Sequence, residues 1–332
     1  MHIFVWRFRL VTGNPHPKWG GIIFAKNKTN CIIMSNANII LTLDERMRQD
    51  FGERLQDLPI SAAVNLSPVA KMRDPGSTTG FSKLGLPGFF CGNRDAETVV
   101  VNLNPGMDAG KADSLWGSAT GSFDKSNIES FIEDYSKSCR DYGINDASRY
   151  DEFDIKQAAF WVPWSNSGIN FQSHIDWKNR NDCLIAKTIV LTYKLQLELV
   201  PYASSKFSIN KNQIRLFYPF IRSLLDEIFR KKRTYVVFAS AIFEQIFEAY
   251  NHDCSTIFEG LSNQNESVHL IKNDGTMSSK SFNCKVIRIH FNGTPQKALI
   301  AHSFPRLDIG KAFSMMEQYG EFCHRVWKNS PF

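Results

Sequence analysis

From about residue 85 to the end of the chain, short β-branched runs alternate with stretches in which apolar residues recur every three or four positions. Glu97 to Leu103 (ETVVVNL) reads as a strand that stops at the turn signal Asn104-Pro105-Gly106. Ser126 followed by Glu129 has capping-box spacing, and Ile128, Phe131, Ile132 and Tyr135 recur at helical intervals behind it. A second strand, Leu195 to Val200, ends at Pro201-Tyr202. Over Gln213 to Arg230 the residues Leu216, Phe217, Phe220, Ile221, Leu224, Leu225 and Ile228 share one face of an amphipathic helix. A third strand, Tyr235 to Ala239, precedes a helix over Ala241 to Tyr250. Lys285 to Phe291 and Ala298 to His302 flank Asn292-Gly293 as a hairpin, and a helix over Asp308 to Val326 closes the chain. Strands separated by helices predict an α/β fold, a three-layer α/β/α sandwich with a mainly parallel central sheet.

The first 80 or so residues lack this alternation. Two apolar patches, Ile22 to Ala25 and Cys31 to Leu43, precede a mixed-charge stretch, Asp44 to Leu58, that predicts a helix. Asn65 to Pro87 is rich in Ser, Gly, Pro and Lys, the composition of a long loop or linker. This places an N-terminal accessory region over residues 1–84 and an α/β domain over residues 85–332.

Composition narrows the class. With 43% hydrophobic and 22% charged residues, the chain is too apolar to be wholly disordered. No run approaches the roughly 20 apolar residues needed to span a bilayer, and no signal-peptide core follows Arg7 and Arg9, so a cytoplasmic protein is expected. The seven cysteines are scattered without a C-x-x-C pair and read as reduced core thiols, and no metal or cofactor is implied. A net charge of +6 is compatible with a polyanionic partner without requiring one. The basic run Arg230 to Arg233 reads as a solvated helix end.

In open α/β sheets ligands sit beyond the carboxyl ends of the strands. The residues there are Asn104, Pro105, Gly106 and Asp108, then Pro201, Tyr202 and Ser204, then Ser240, then His302, Ser303, Pro305 and Arg306. The familiar nucleotide, lipase and zinc-protease motifs are absent. Asn-Pro-Gly taken alone is an ordinary turn, and a lone His at a strand end is more often structural.

Taken together, LPGFFCGNRDAETVVVNLNPG (Leu86 to Gly106), ELVPYASSKF (Glu198 to Phe207) and IAHSFPRLD (Ile300 to Asp308) resemble the uracil-DNA glycosylase superfamily over roughly residues 85 to 325. In the mismatch-specific branch the first turn reads G-I-N-P-G; Asn104-Pro105-Gly106 matches its last three positions. The family's His-Pro-Ser type loop has its counterpart in His302-Ser303-Phe304-Pro305, which keeps the His but not the order after it. The resemblance implies hydrolysis of an N-glycosidic bond, with Asn104 positioning water and His302 stabilising charge on the departing base. Gly106 would then allow close backbone approach and Pro105 stiffen the turn, with Asp108 and Tyr202 lining the pocket. Arg306, Lys111 and Ser303 would contact phosphate, and Phe90 or Trp116 would stack on a flipped base.

Uracil-excising relatives often carry an Asn near the position of Glu198, and an ionised carboxylate accepts but does not donate. Either Glu198 enters the pocket and favours adjacent donors such as guanine N1 and N2, or it points into the opposite layer and caps a helix. The implied partner is DNA or a nucleobase, with no membrane. A DNA glycosylase for a modified or mismatched base competes with a non-catalytic module that binds a base, nucleotide or nucleic acid on the same fold, and with a different hydrolase on that scaffold.

Overall fold

The computed structural model describes residues 41–71, 80–167, 175–205, 207, 209, 211–302 and 313–332. The fold begins with two helices, α1 (Leu43–Leu55) and α2 (Ser61–Lys71), followed by β1 (Phe90–Gly92) and β2 (Thr98–Asn102). Five helices come next: α3 (Ala109–Ala119), α4 (Ile128–Arg140), α5 (Tyr142–Asn145), α6 (Glu152–Trp161) and α7 (Arg180–Tyr193). Then come β3 (Lys194–Glu198), α8 (Tyr218–Phe229), β4 (Tyr235–Phe238) and α9 (Ile242–Asp253). The chain closes through β5 (Phe258–Glu259), β6 (Glu266–Ile271), β7 (Met277–Phe291), β8 (Thr294–Ala301) and α10 (Phe313–Asn329).

The fold is α/β, and its eight-stranded sheet has the order β1-β3-β2-β4-β8-β7-β5, with β6 paired to β7. The sheet is mixed, which corrects the expectation of a mainly parallel one. β3, β2, β4 and β8 run parallel, whereas β1, β5, β6 and β7 each pair antiparallel. The hairpin makes part of this unavoidable, because a two-residue turn joins only antiparallel neighbours. At that turn Asn292 (φ 50°) and Gly293 (φ 77°) both take the left-handed conformation that tight hairpin turns require.

β2 shows how the sheet is buried on both sides. Val99 and Val101 enter one apolar cluster with residues of α1, α4, α8 and α9, while Val100 enters another with residues of α6, α7 and α10. A β-branched run covered on both faces is what an internal parallel strand calls for. Phe160, Trp161 and Trp164 lie in the second cluster as core residues.

The described part of the expected accessory region shares the first cluster. Leu43, Met47 and Phe51 of α1 and Ala63, Leu66 and Val69 of α2 pack with Phe89, Val99 and Leu197. Most of the apolar patches expected over residues 22–43 lies outside the described residues. The linker expected from residue 65 is helical as far as Lys71, with Pro68 inside the helix.

The α4 cap is Asn127, which accepts from the Ser130 N–H at 2.9 Å, and not Ser126. Glu129 instead pairs with Arg48 of α1 at 2.8 Å. A full capping box stands at Thr42 and Glu45, before α1.

Arg233 is buried rather than solvated, which corrects the reading of the basic run. Its guanidinium donates to the carbonyls of Arg94, Ala96, Glu227 and Ile228. Cys254 is disulfide-bonded, so the expectation of seven reduced thiols is also corrected; Cys91, Cys139, Cys183, Cys284 and Cys323 are free. Among the described residues no helix is long and apolar enough to cross a membrane.

Candidate functional site

Because β3, β2, β4 and β8 are parallel, their last residues, Glu198, Asn102, Phe238 and Ala301, lie along one edge of the sheet. Asn104 stands just past β2 and is half-buried. Its Nδ2 donates to the Ser204 Oγ at 2.9 Å, the Pro105 carbonyl at 3.0 Å and the Tyr202 carbonyl at 3.3 Å. The Ser204 N–H donates to the Pro105 carbonyl at 3.2 Å, and Gly106 forms a parallel bridge to Ser204. The turns after β2 and β3 are thus tied together through Asn104. Three acceptors on Nδ2 fix the carboxamide in one orientation, and its Oδ1 accepts from no described residue.

A side chain at Gly88 would come within 3.1 Å of Pro105 Cγ, so the segment leading into β1 packs closely on this turn. Over Gly106 there is open space, with nothing within 4 Å of an added Cβ. Asp108 is exposed and caps α3 by accepting from the Gly110 N–H at 2.9 Å. Lys111, one turn further, is exposed.

His302 stands just past β8, two strands from β2 through β4, a lateral separation of roughly 10 Å. Its backbone N–H donates to Tyr319 Oη at 2.7 Å, and the Tyr319 hydroxyl donates to the Asn283 carbonyl at 2.7 Å. The ring lies against Phe282, 5.6 Å between centroids. Partial burial, reinforced by Lys280, holds its pKa below the ordinary histidine value, so the ring is neutral at pH 7. Ser303, Pro305 and Arg306 lie outside the described residues.

Two expected pocket residues, Tyr202 and Phe90, are core residues instead, and a third, Trp116, packs against the core while staying half-buried. Tyr202 is 1% exposed, donates its hydroxyl to Asp50 Oδ2 of α1 at 2.7 Å, and packs against Phe81 and Phe220. Phe90 is buried against Tyr135, and the half-buried Trp116 stacks on Phe131 at 5.4 Å. The apolar surface that suggested stacking platforms is covered by α1 and α4, which share this cluster.

Glu198 neither caps a helix nor opens to solvent. Its Oε1 accepts from Gln196 Nε2 at 2.8 Å and Asn102 Nδ2 at 3.2 Å, while its buried Oε2 has no partner. The chain of polar groups continues inward. Gln196 Oε1 accepts from Gln157 Nε2 at 3.0 Å and Lys194 Nζ at 3.1 Å, and Lys194 also donates to Gln157. Burial pushes the Glu198 carboxyl up to about 7 against the pull of its two amide donors and Lys194.

A carboxyl with a folded pKa above its unfolded value stabilises the protein fully below the unfolded pKa and loses that contribution as pH rises through the folded one. Burial raises Asp50 from 3.8 to about 7 in the same way, so the two groups weaken the fold as pH rises from 3.8 (Asp50) or 4.5 (Glu198) to about 7. Glu198→Gln is therefore expected to gain roughly 1–3 kcal/mol at pH 8 and little at pH 4, leaving the Asp50 contribution. Melting temperatures of both proteins across this range test it; parallel curves would refute the assignment.

No family model, curated protein or solved structure matches this chain. The structure brings Asn104, Pro105, Gly106 and Ser204 together and puts His302 on the same sheet edge. Sequence reasoning missed Asn102, Gln196 and Tyr319. The polar alternation in KLQLE carried a signal for Gln196, but in an isolated strand such a pattern reads as a solvent face.

Proposed function

We propose that this chain is a DNA-glycosylase-like hydrolase of the N-glycosidic bond of a modified or mismatched base, built on a uracil-DNA-glycosylase-like sandwich. The observation that carries the reading is the fixed Asn104 carboxamide, its oxygen free of donors among the described residues, on the sheet edge that also bears a neutral His302.

Cleavage of that bond develops positive charge on the sugar and negative charge on the base. Asn104 Oδ1 accepts a hydrogen bond from the attacking water and orients it toward the anomeric carbon. An amide is a poor base, so its contribution is positioning, which needs the orientation the three Nδ2 bonds supply. A neutral imidazole offers one N–H, which His302 directs to a carbonyl oxygen of the departing base. The Tyr319 hydroxyl holds the His302 backbone in place for that role.

The test is an abasic-site assay on single-stranded and duplex oligonucleotides carrying uracil, hypoxanthine, xanthine or alkylated bases. Alkali-labile breaks are expected with the wild type, reduced about 100-fold or more in Asn104→Ala and His302→Ala. Silence across the panel with oligonucleotide binding retained would replace this reading by the non-catalytic binding module.

A further inference from the structure

Of the three described acceptors on Asn104 Nδ2, two belong to the turn after β3: the Tyr202 carbonyl and the Ser204 Oγ. The third is the carbonyl of Pro105, in the turn that carries Asn104 itself. The direction of Asn104 Oδ1 is therefore set by where the turn Pro201 to Ser204 sits. Two backbone bonds hold that turn, since the Pro201 carbonyl accepts from the Gly88 N–H and the Ala203 carbonyl from the Ser82 N–H, each at 2.8 Å. Between them the Tyr202 side chain reaches α1, where its hydroxyl donates to Asp50 Oδ2 at 2.7 Å.

This side-chain anchor lies wholly in the core. The Tyr202 ring is edge-on to Phe81 at 6.5 Å and to Phe220 at 6.1 Å. Asp50 is 1% exposed, and Arg46, one turn earlier on α1, is buried over the Phe220 ring at 3.8 Å. A buried carboxyl carries a desolvation penalty that an apolar side chain of similar volume would avoid. That penalty raises the Asp50 pKa, opposed by the Tyr202 hydroxyl and then by Arg46, with Glu53 raising it further. A hydroxyl–carboxyl bond supplies what apolar packing lacks, a fixed distance and direction. Here it fixes the residue whose carbonyl holds Asn104.

We propose that Asp50 is a positioning residue for Asn104: through the Tyr202 hydroxyl it fixes the turn that aims Asn104 Oδ1. Helix α1, in the stretch expected as an accessory region, is then part of the site. Asp50 touches no substrate and acts only through Tyr202. The role given to Asn104 rests on the glycosylase-like reading; the route from Asp50 to the Asn104 carboxamide does not.

Proton–nitrogen NMR of the Asn104 side-chain amide, its signals identified by their loss in Asn104→Ala, tests the route directly. Tyr202→Phe keeps the ring and deletes only the hydroxyl; the Asn104 signals are expected to shift and their exchange with solvent to quicken about tenfold. Asp50→Leu is expected to do the same, and the double variant no more than either single change. Asp50→Asn, which keeps an acceptor for the hydroxyl, is expected to lie closer to the wild type than Asp50→Leu. Tyr218→Phe removes a comparable bond away from this route, from Tyr218 Oη to Asp253 Oδ2 at 2.9 Å, and is expected to leave the Asn104 signals in place. In the abasic-site assay, at a temperature where every variant is folded, Tyr202→Phe is expected to lower kcat about tenfold with KM unchanged. Unmoved Asn104 signals in Tyr202→Phe, or equal movement in Tyr218→Phe, would overturn the proposal. An inactive wild type would overturn the glycosylase reading alone, because the Asn104 signals still decide the role of Asp50.

Discussion

Gly320→Ala is expected to lower stability by about 3 kcal/mol, seen as a drop in the urea midpoint with an unchanged slope. Gly320 lies on the buried face of α10, where a Cβ would meet the Phe160 carbonyl oxygen of α6 at 2.1 Å. The obstacle is backbone, so no rotamer change relieves it, and the helices must move apart at the centre of a well-packed cluster that includes Tyr319 and Trp161. Alanine is otherwise the better helix former by about 1 kcal/mol, and Gly117 of α3 supplies the control. A Cβ there would meet nothing within 4 Å, so Gly117→Ala is expected to gain about 0.5–1 kcal/mol. Equal effects at the two positions would contradict the close approach of α6 and α10.

Arg233→Met is expected to cost about 3–5 kcal/mol, because it removes one partner of a buried charge network and leaves the others unpaired. The side chain is wholly buried, and burial lowers its pKa to about 10, so it remains a cation at neutral pH. It clamps the end of α8 to the loop between β1 and β2, through Arg94 and Ala96 on one side and Glu227 and Ile228 on the other. Glu227, itself buried, also pairs with Arg94 and with Arg230 at 3.3 Å, and Arg94 reaches Asp44 of α1 at 2.7 Å. Glu227→Ala is therefore expected to be comparably destabilising, whereas Arg230→Ala, at an exposed rim, is expected to cost under about 1 kcal/mol. Chemical denaturation of the three proteins checks the order; a mild Arg233→Met would mean that its carbonyl partners are solvated in the folded protein.

Local pattern was legible where one element's own residues suffice. ETVVVNL and the Asn292-Gly293 turn appear close to where the sequence predicts them; of the face expected over Gln213 to Arg230, Phe220, Ile221, Leu224, Leu225 and Ile228 lie on α8, whereas Leu216 and Phe217 fall in a preceding 3-10 helix (Lys211–Phe217), with Leu216 exposed. Periodicity and turn chemistry are properties of neighbours along the chain, so they survive in any fold that buries the apolar side. The Asn104 turn was legible for the same reason, since it follows directly from the end of β2.

Contacts between distant segments were not. Tyr202 reads as a pocket residue until Asp50, 152 positions away, accepts its hydroxyl. The basic run reads as solvated until the loop at Arg94 to Ala96 closes over Arg233, and Glu198 reads as a ligand contact until Asn102 and Gln196 enclose its Oε1. By itself the sequence determined most element types, the α/β class and the turn that bears Asn104, because these follow from local propensity and spacing. Only the tertiary structure decided the mixed pairing of the sheet, the burial of each polar group and which candidate side chains meet. Those depend on long-range contacts that set each group's solvation, and no local pattern encodes them.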